Sequence, residues 1–161
     1  MARSTSEGSP RDTSGPLVRP PIVYACSLLS GLALHWARPV GLLPPHIGTP
    51  SGALLAFGAI ALFALSVREF RRFETPVPSP RPTCTVVKTG PYRLSRNPIY
   101  VAFTLLQLGL AVWVNTLWLV ATLLPTLILI SKGVIDREEK YLSAKFGAEY
   151  LDYKASVRRW L

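Results

Sequence analysis

The segment Gly90-Pro91-Tyr92-Arg93-Leu94-Ser95-Arg96-Asn97-Pro98-Ile99-Tyr100 gathers two arginines and two tyrosines at the mouth of a long apolar run. A second polar cluster, Asp136-Arg137-Glu138-Glu139, follows the far end of that run. Asn97 as N-cap and Pro98 at the first helical position predict that a helix starts here. A helix N-terminus carries partial positive charge and free N–H groups, so with Arg93 and Arg96 just before it the start is an anion site. Tyr100, about one turn in, offers a ring face and a hydroxyl. Glu138 and Glu139 are costly to bury unless a cation or hydrogen-bond donors meet them. Adjacent helical residues point ~100° apart, so one carboxylate can face a site while the other braces it. Together the clusters suit a zwitterionic small molecule beside a lipid-like one. The plainer reading of the same residues has arginines reaching for headgroups and Tyr100 in an interfacial aromatic belt. In it, Glu138 and Glu139 sit in a surface network with Lys132, Arg137 and Lys140.

The clusters meet only if the run between them is a hairpin. Asn97–Ser131 is 35 residues without Lys, Arg, Asp or Glu. That is too long for one membrane span and suits two, with Asn115-Thr116 as the turn. Ile22–Ala37 and Ser51–Val67 are also free of charge. The expected fold is therefore all-α and polytopic, with four transmembrane helices at roughly 20–37, 50–68, 97–114 and 116–134. A hydrophobic content of 49% against 17% charged residues is too apolar for an ordinary soluble domain of 161 residues. Of the 18 Lys and Arg, three precede the first run, seven fall in Arg68–Arg96 and seven follow Ser131, leaving Arg38 alone on the other side. The positive-inside rule then puts both termini in the cytoplasm of a multi-pass protein, with a bacterial inner membrane as the expected setting. The net charge of +9 orients the chain and meets anionic headgroups.

Three regions follow: a disordered tail over residues 1–20, rich in Ser, Pro, Gly and Thr; a membrane domain over 21–134; and a cytoplasmic amphipathic tail over 135–161 that completes the site. In that tail Phe146, Tyr150, Tyr153 and Val157 share one helical stripe, Gly147 marks a break, and Lys154, Arg158 and Arg159 are available to the membrane surface. The expectation is an interfacial helix that covers the site as a lid and supplies no chemistry. Nucleic-acid binding is not expected, since no continuous basic face carries stacking aromatics. No Gly-x-Gly-x-x-Gly follows a strand, which excludes a soluble dinucleotide fold. Cys26, Cys84, His35 and His46 supply no metal site and no disulfide is expected. The spans contain no acidic residue of the kind a cation-carrying membrane subunit needs.

Gly-Pro-Tyr-Arg-x-x-Arg-Asn-Pro-x-Tyr, a hairpin, Glu-Glu and then Phe-Gly-x-x-Tyr-x-x-Tyr resemble the isoprenylcysteine carboxyl methyltransferase and phospholipid methyltransferase family of membrane enzymes. The upstream Thr75-Pro76-Val77-Pro78 is similar to that family's loop, and the likeness covers about residues 68–161. The resemblance implies S-adenosylmethionine bound by Arg96, Asn97, Tyr100, Glu138 and Glu139, with Tyr92 and Arg93 shaping the pocket. No individual catalytic residue is assigned. It implies a lipophilic acceptor or lipidated substrate drawn from the bilayer. That acceptor is a prenylcysteine-type carboxylate, an amino lipid, or a small lipophilic thiol or acid. Asn97 stands where many members have His and cannot act as a base; Ala102 stands where Gly commonly follows the tyrosine. The rival readings are a sterol- or steroid-type reductase using NADPH and a non-catalytic small membrane subunit.

Overall fold

The computed structural model describes residues 19–72 and 85–161. Of the tail expected over residues 1–20, residues 1–18 lie outside the described residues, as do the Thr75–Pro78 segment and Cys84, while Pro20 already belongs to the first helix. Among the described residues the chain is all-α, without a strand. Helix α1 spans Pro20–Ala37, opened by a proline pair whose missing N–H groups cost nothing in a first turn. Helix α2 spans Pro45–Arg72 and contains Pro50. It starts earlier than the expected residue 50 because a proline near the N-terminus forfeits a bond without breaking the helix. Helix α3 spans Pro98–Trp113 and α4 spans Leu117–Ile130. Between them Asn115 adopts φ +54° and Thr116 caps α4, its Oγ1 accepting from the Trp118 N–H at 3.3 Å.

The fourth helix does not stop at residue 134. It continues through a π-turn, Ser131–Ile135, directly into α5, Asp136–Phe146. No proline interrupts the segment, so the apolar rod carries the carboxylates onward on its own axis. Gly147, at φ +52°, ends the rod in a conformation few other residues tolerate, and α6 follows over Ala148–Ser156.

The helices pair α2 with α3, α1 with α4, and α3 with α4. Small residues allow the closest of these approaches. A Cβ on Gly109 would stand 2.7 Å from the Ala56 nitrogen and 3.1 Å from the Gly52 oxygen. At the meeting of α1, α3 and α4, buried Gln107 donates through Nε2 to Ser27 Oγ at 2.7 Å and to the Leu119 carbonyl at 3.0 Å. Ser27 Oγ in turn donates to the Thr122 carbonyl at 3.0 Å. The outer surface is apolar: Leu29, Leu54, Phe57 and Ile128 are 65–76% exposed. Two helices, Pro50–Arg72 and Leu117–Phe146, are long and apolar enough to cross a membrane, and Pro98–Trp113 is a shorter apolar helix.

One end of the bundle is latched by its turns. Asn115 Oδ1 accepts from the Leu42 and Leu43 N–H groups, each at 2.8 Å, and its Nδ2 donates to the Leu43 carbonyl at 2.7 Å. Trp118 Nε1 donates to the Arg38 carbonyl at 2.6 Å. The opposite end carries the polar clusters.

Candidate functional site

Ahead of α3, Gly90 at φ +59° turns the chain into a single 3-10 turn, Gly90–Arg93. The turn is held from two sides. From α2, the Phe70 ring meets Tyr92 edge-on at 5.0 Å, and Glu69 Oε2 accepts from Thr89 Oγ1 at 2.8 Å. From α6, the Tyr153 hydroxyl donates to the Tyr92 carbonyl at 2.7 Å. Tyr92 is thus buried, and among the described residues its own hydroxyl has no hydrogen-bond partner. Burial pushes that phenol well above its ordinary range, and the negative charge of Glu138 adds to the effect.

Behind this turn lies an ionic cluster centred on Glu139, which is 4% exposed. Its Oε1 accepts from Arg96 Nη2 at 3.0 Å and Arg159 Nε at 3.0 Å. Its Oε2 accepts from Arg159 Nη2 at 2.8 Å and lies 3.2 Å from Lys154 Nζ. Arg159 Nη1 reaches Asp136 Oδ1 at 2.8 Å. Burial alone would raise the Glu139 carboxyl, but Arg159, Arg96 and Lys154 together hold it below the usual carboxylate range. A carboxylate with donors on both oxygens has little left to offer a ligand. Arg96 is largely spoken for as well, since Nη1 donates to the Lys154 carbonyl at 2.8 Å. Only its Nε is buried without a partner.

Glu138 takes the other direction. Its Oε1 accepts from the Tyr100 hydroxyl at 2.9 Å, and among the described residues no cation pairs with it. Burial pushes the carboxyl up to about 7, with the Tyr100 hydrogen bond pulling the opposite way. The two adjacent carboxylates therefore differ in surroundings: one is neutralised by cations, the other is raised by burial and meets a phenol.

Arg96, Tyr100, Glu138 and Glu139 are brought together although the first and last are 43 residues apart. Asn97 lies beside them, but its side chain does not cap α3. Ser95 Oγ accepts from the Asn97 N–H at 3.1 Å, while Asn97 Nδ2 donates to the Arg159 carbonyl at 3.0 Å. Arg93 is exposed and pairs with none of the described residues, so it stands outside the cluster. Ala102 is buried in α3.

The tail differs from the expected lid. Tyr150 and Tyr153 are buried together, ring centroids 6.2 Å apart, on a helix separated from Phe146 by Gly147. Burial pushes the Tyr150 phenol up to about 12. Arg159 and Lys154, expected from the sequence at the membrane surface, turn inward to Glu139, a buried carboxylate that requires cationic partners. That those two residues and Asp136 join the Glu139 cluster is what sequence reasoning missed; the available signal was a cation-rich tail facing an unbalanced Glu-Glu pair. Asp136, Glu139, Lys140, Ser143, Lys154 and Arg159 also line an open cleft of about 290 Å³. Among the described residues no group of His, Cys, Asp and Glu could hold a metal ion.

The chain is thus an apolar helical bundle, with two helices long and apolar enough to cross a membrane and ionisable side chains converging at one end. The profile of the phospholipid methyltransferase family matches residues 48–149, and the chain belongs to that family. An uncharacterized protein of Haemophilus influenzae is 42% identical over 65 residues, which cover 39% of this chain and 100% of that protein. No solved structure matches the chain.

Proposed function

We propose that the protein is an integral membrane methyltransferase that uses S-adenosylmethionine to methylate a lipophilic acceptor. The acceptor is of the prenylcysteine-carboxylate, amino-lipid or small thiol or acid type and reaches the site from the bilayer. The reading includes four spans, α1 to α4, with both termini on the cytoplasmic side. Family membership supports the transfer of a methyl group. The observation that supports the site is the contact of Tyr100 with Glu138, at 2.9 Å, beside two buried donors that lack partners, Tyr92 Oη and Arg96 Nε.

These residues fit the cofactor's chemistry. Tyr92 Oη, Arg96 Nε and the N–H groups of the first turn of α3 suit its carboxylate. Glu138, paired with no cation among the described residues, suits its ammonium or ribose hydroxyls, and Tyr100 orients the Glu138 carboxylate. Asn97 and Glu139 act from behind, Asn97 on the tail and Glu139 on Arg96. The cofactor supplies an electrophilic methyl on sulfur for in-line displacement. The chain's task is to align the acceptor and exclude water, for which buried Tyr92, Val134, Ile135 and Tyr153 serve. A carboxylate or thiolate acceptor arrives as an anion and needs no base. An amine must lose a proton before it attacks.

Calorimetric titration of the detergent-solubilised protein with S-adenosylmethionine and with NADPH tests the reading. Binding of the first alone is expected. Binding of NADPH alone would instead indicate a reductase, and binding of neither a non-catalytic subunit.

A further inference from the structure

We propose that Arg159 is a positioning residue of this site: its side chain and its carbonyl together strap α5 to the start of α3 and so set where the ligand-facing groups stand. The inference rests on the proposed function only for the identity of the ligand. Every nitrogen of the guanidinium is engaged. Nε and Nη2 form a fork on the two oxygens of Glu139, at 3.0 and 2.8 Å, and Nη1 meets Asp136 at 2.8 Å. Asp136 and Glu139 are three residues apart and so share one face of α5, which makes the planar fork fit both at once. A lysine carries the same charge but no planar fork to match.

The backbone of the same short segment faces the other way. The Arg159 carbonyl accepts from Asn97 Nδ2 at 3.0 Å and Ser95 Oγ at 3.2 Å, and the Arg158 carbonyl accepts from the Arg96 N–H at 2.9 Å. Trp160 packs against the core cluster that contains Tyr24, Tyr100 and Ile135. Segment 158–160 therefore bridges the two halves of the hairpin at their mouth. Arg96 is fixed at both its backbone and its side chain by groups that belong to, or are held by, this strap. Its remaining donor, Nε, points where the strap lets it. Glu139, saturated by the strap, is withdrawn from ligand contact, and Glu138 is left as the carboxylate that meets it.

The test compares Arg159→Gln, Arg159→Lys and a charge control, Lys145→Gln, in full-length protein. Hydrogen exchange at residues 95–101 reads the strap without any ligand, and S-adenosylmethionine affinity by calorimetry reads its consequence. Arg159→Gln is expected to speed exchange at those amides and weaken binding about tenfold, as loss of charge-assisted bonds behind a site would. Arg159→Lys is expected to fall between Gln and parent, and Lys145→Gln to match the parent in both. If Arg159→Gln does not fold, Arg159→Lys carries the comparison alone. Unchanged exchange at 95–101, or faster exchange with parental affinity, overturns the proposal. If the parent itself binds no S-adenosylmethionine, the functional reading fails while the exchange result still decides whether the strap exists.

Discussion

Two neighbouring glutamates with opposite surroundings give opposite responses to acid. Glu138 has its carboxyl raised from 4.5 to about 7, so folding favours its protonated form. Its contribution to stability is complete below about 4.5 and is lost as pH rises through 7. Cofactor affinity should run the other way across that window, because a cation is met by the ionised form. Calorimetry between those limits should show binding tightening with pH, and Glu138→Gln should flatten the profile and weaken binding roughly ten- to hundredfold. Glu139, held below 4.5 by Arg159, Arg96 and Lys154, contributes stability that is present above that value and lost as pH falls below it. Melting temperatures should therefore fall in the parent as the buffer is taken below about pH 4.5, and fall far less in Glu139→Gln. The pairing of carboxylates with cations was visible in the sequence as types and spacing. Which glutamate took which partner was not, since a rotation of one residue decides it and Arg159 lies 20 positions away.

At the scale of the element, apolar runs and their turn signals located α1, α3 and the Asn115-Thr116 turn to within a residue or two. The end of the fourth helix was missed because the composition changes at Ser131 while the backbone does not. Hydropathy marks where a helix leaves an apolar setting, whereas only a breaker marks where it ends, and the breaker is Gly147. Asn115 is a latch as well as a turn residue, joined to Leu42 and Leu43 by three hydrogen bonds. Asn115→Ala should lower stability by about 1–3 kcal/mol, since it leaves backbone groups unpaired and strains a positive φ. Thermal unfolding checks this. Cofactor affinity should not change, as the latch is at the end of the bundle opposite the site.

For the whole molecule, the sidedness of charge makes a prediction that packing cannot. In a background with Cys26 and Cys84 replaced by alanine, a cysteine at Leu43 should react with an impermeant reagent from outside intact cells, and one at Lys145 only after lysis. The reverse pattern would overturn the four-span arrangement. Both ends of the bundle are tied, by Asn115 at one and Arg159 at the other, with Gln107 knotting the middle. Between the apolar rod and its charged extension lies the wide turn Ser131–Ile135, closed by a longer hydrogen-bonded ring than the turns on either side. Such a turn takes up one residue more than its neighbours, so it works as a phase adjuster on a shaft. Wound instead as an ordinary helix, the same sequence would rotate everything beyond it by ~100°. Glu138 would then swing off Tyr100, and Glu139 off its cations. The length of the span and the heading of the carboxylates can thus change independently, one residue at a time, at this single coupling.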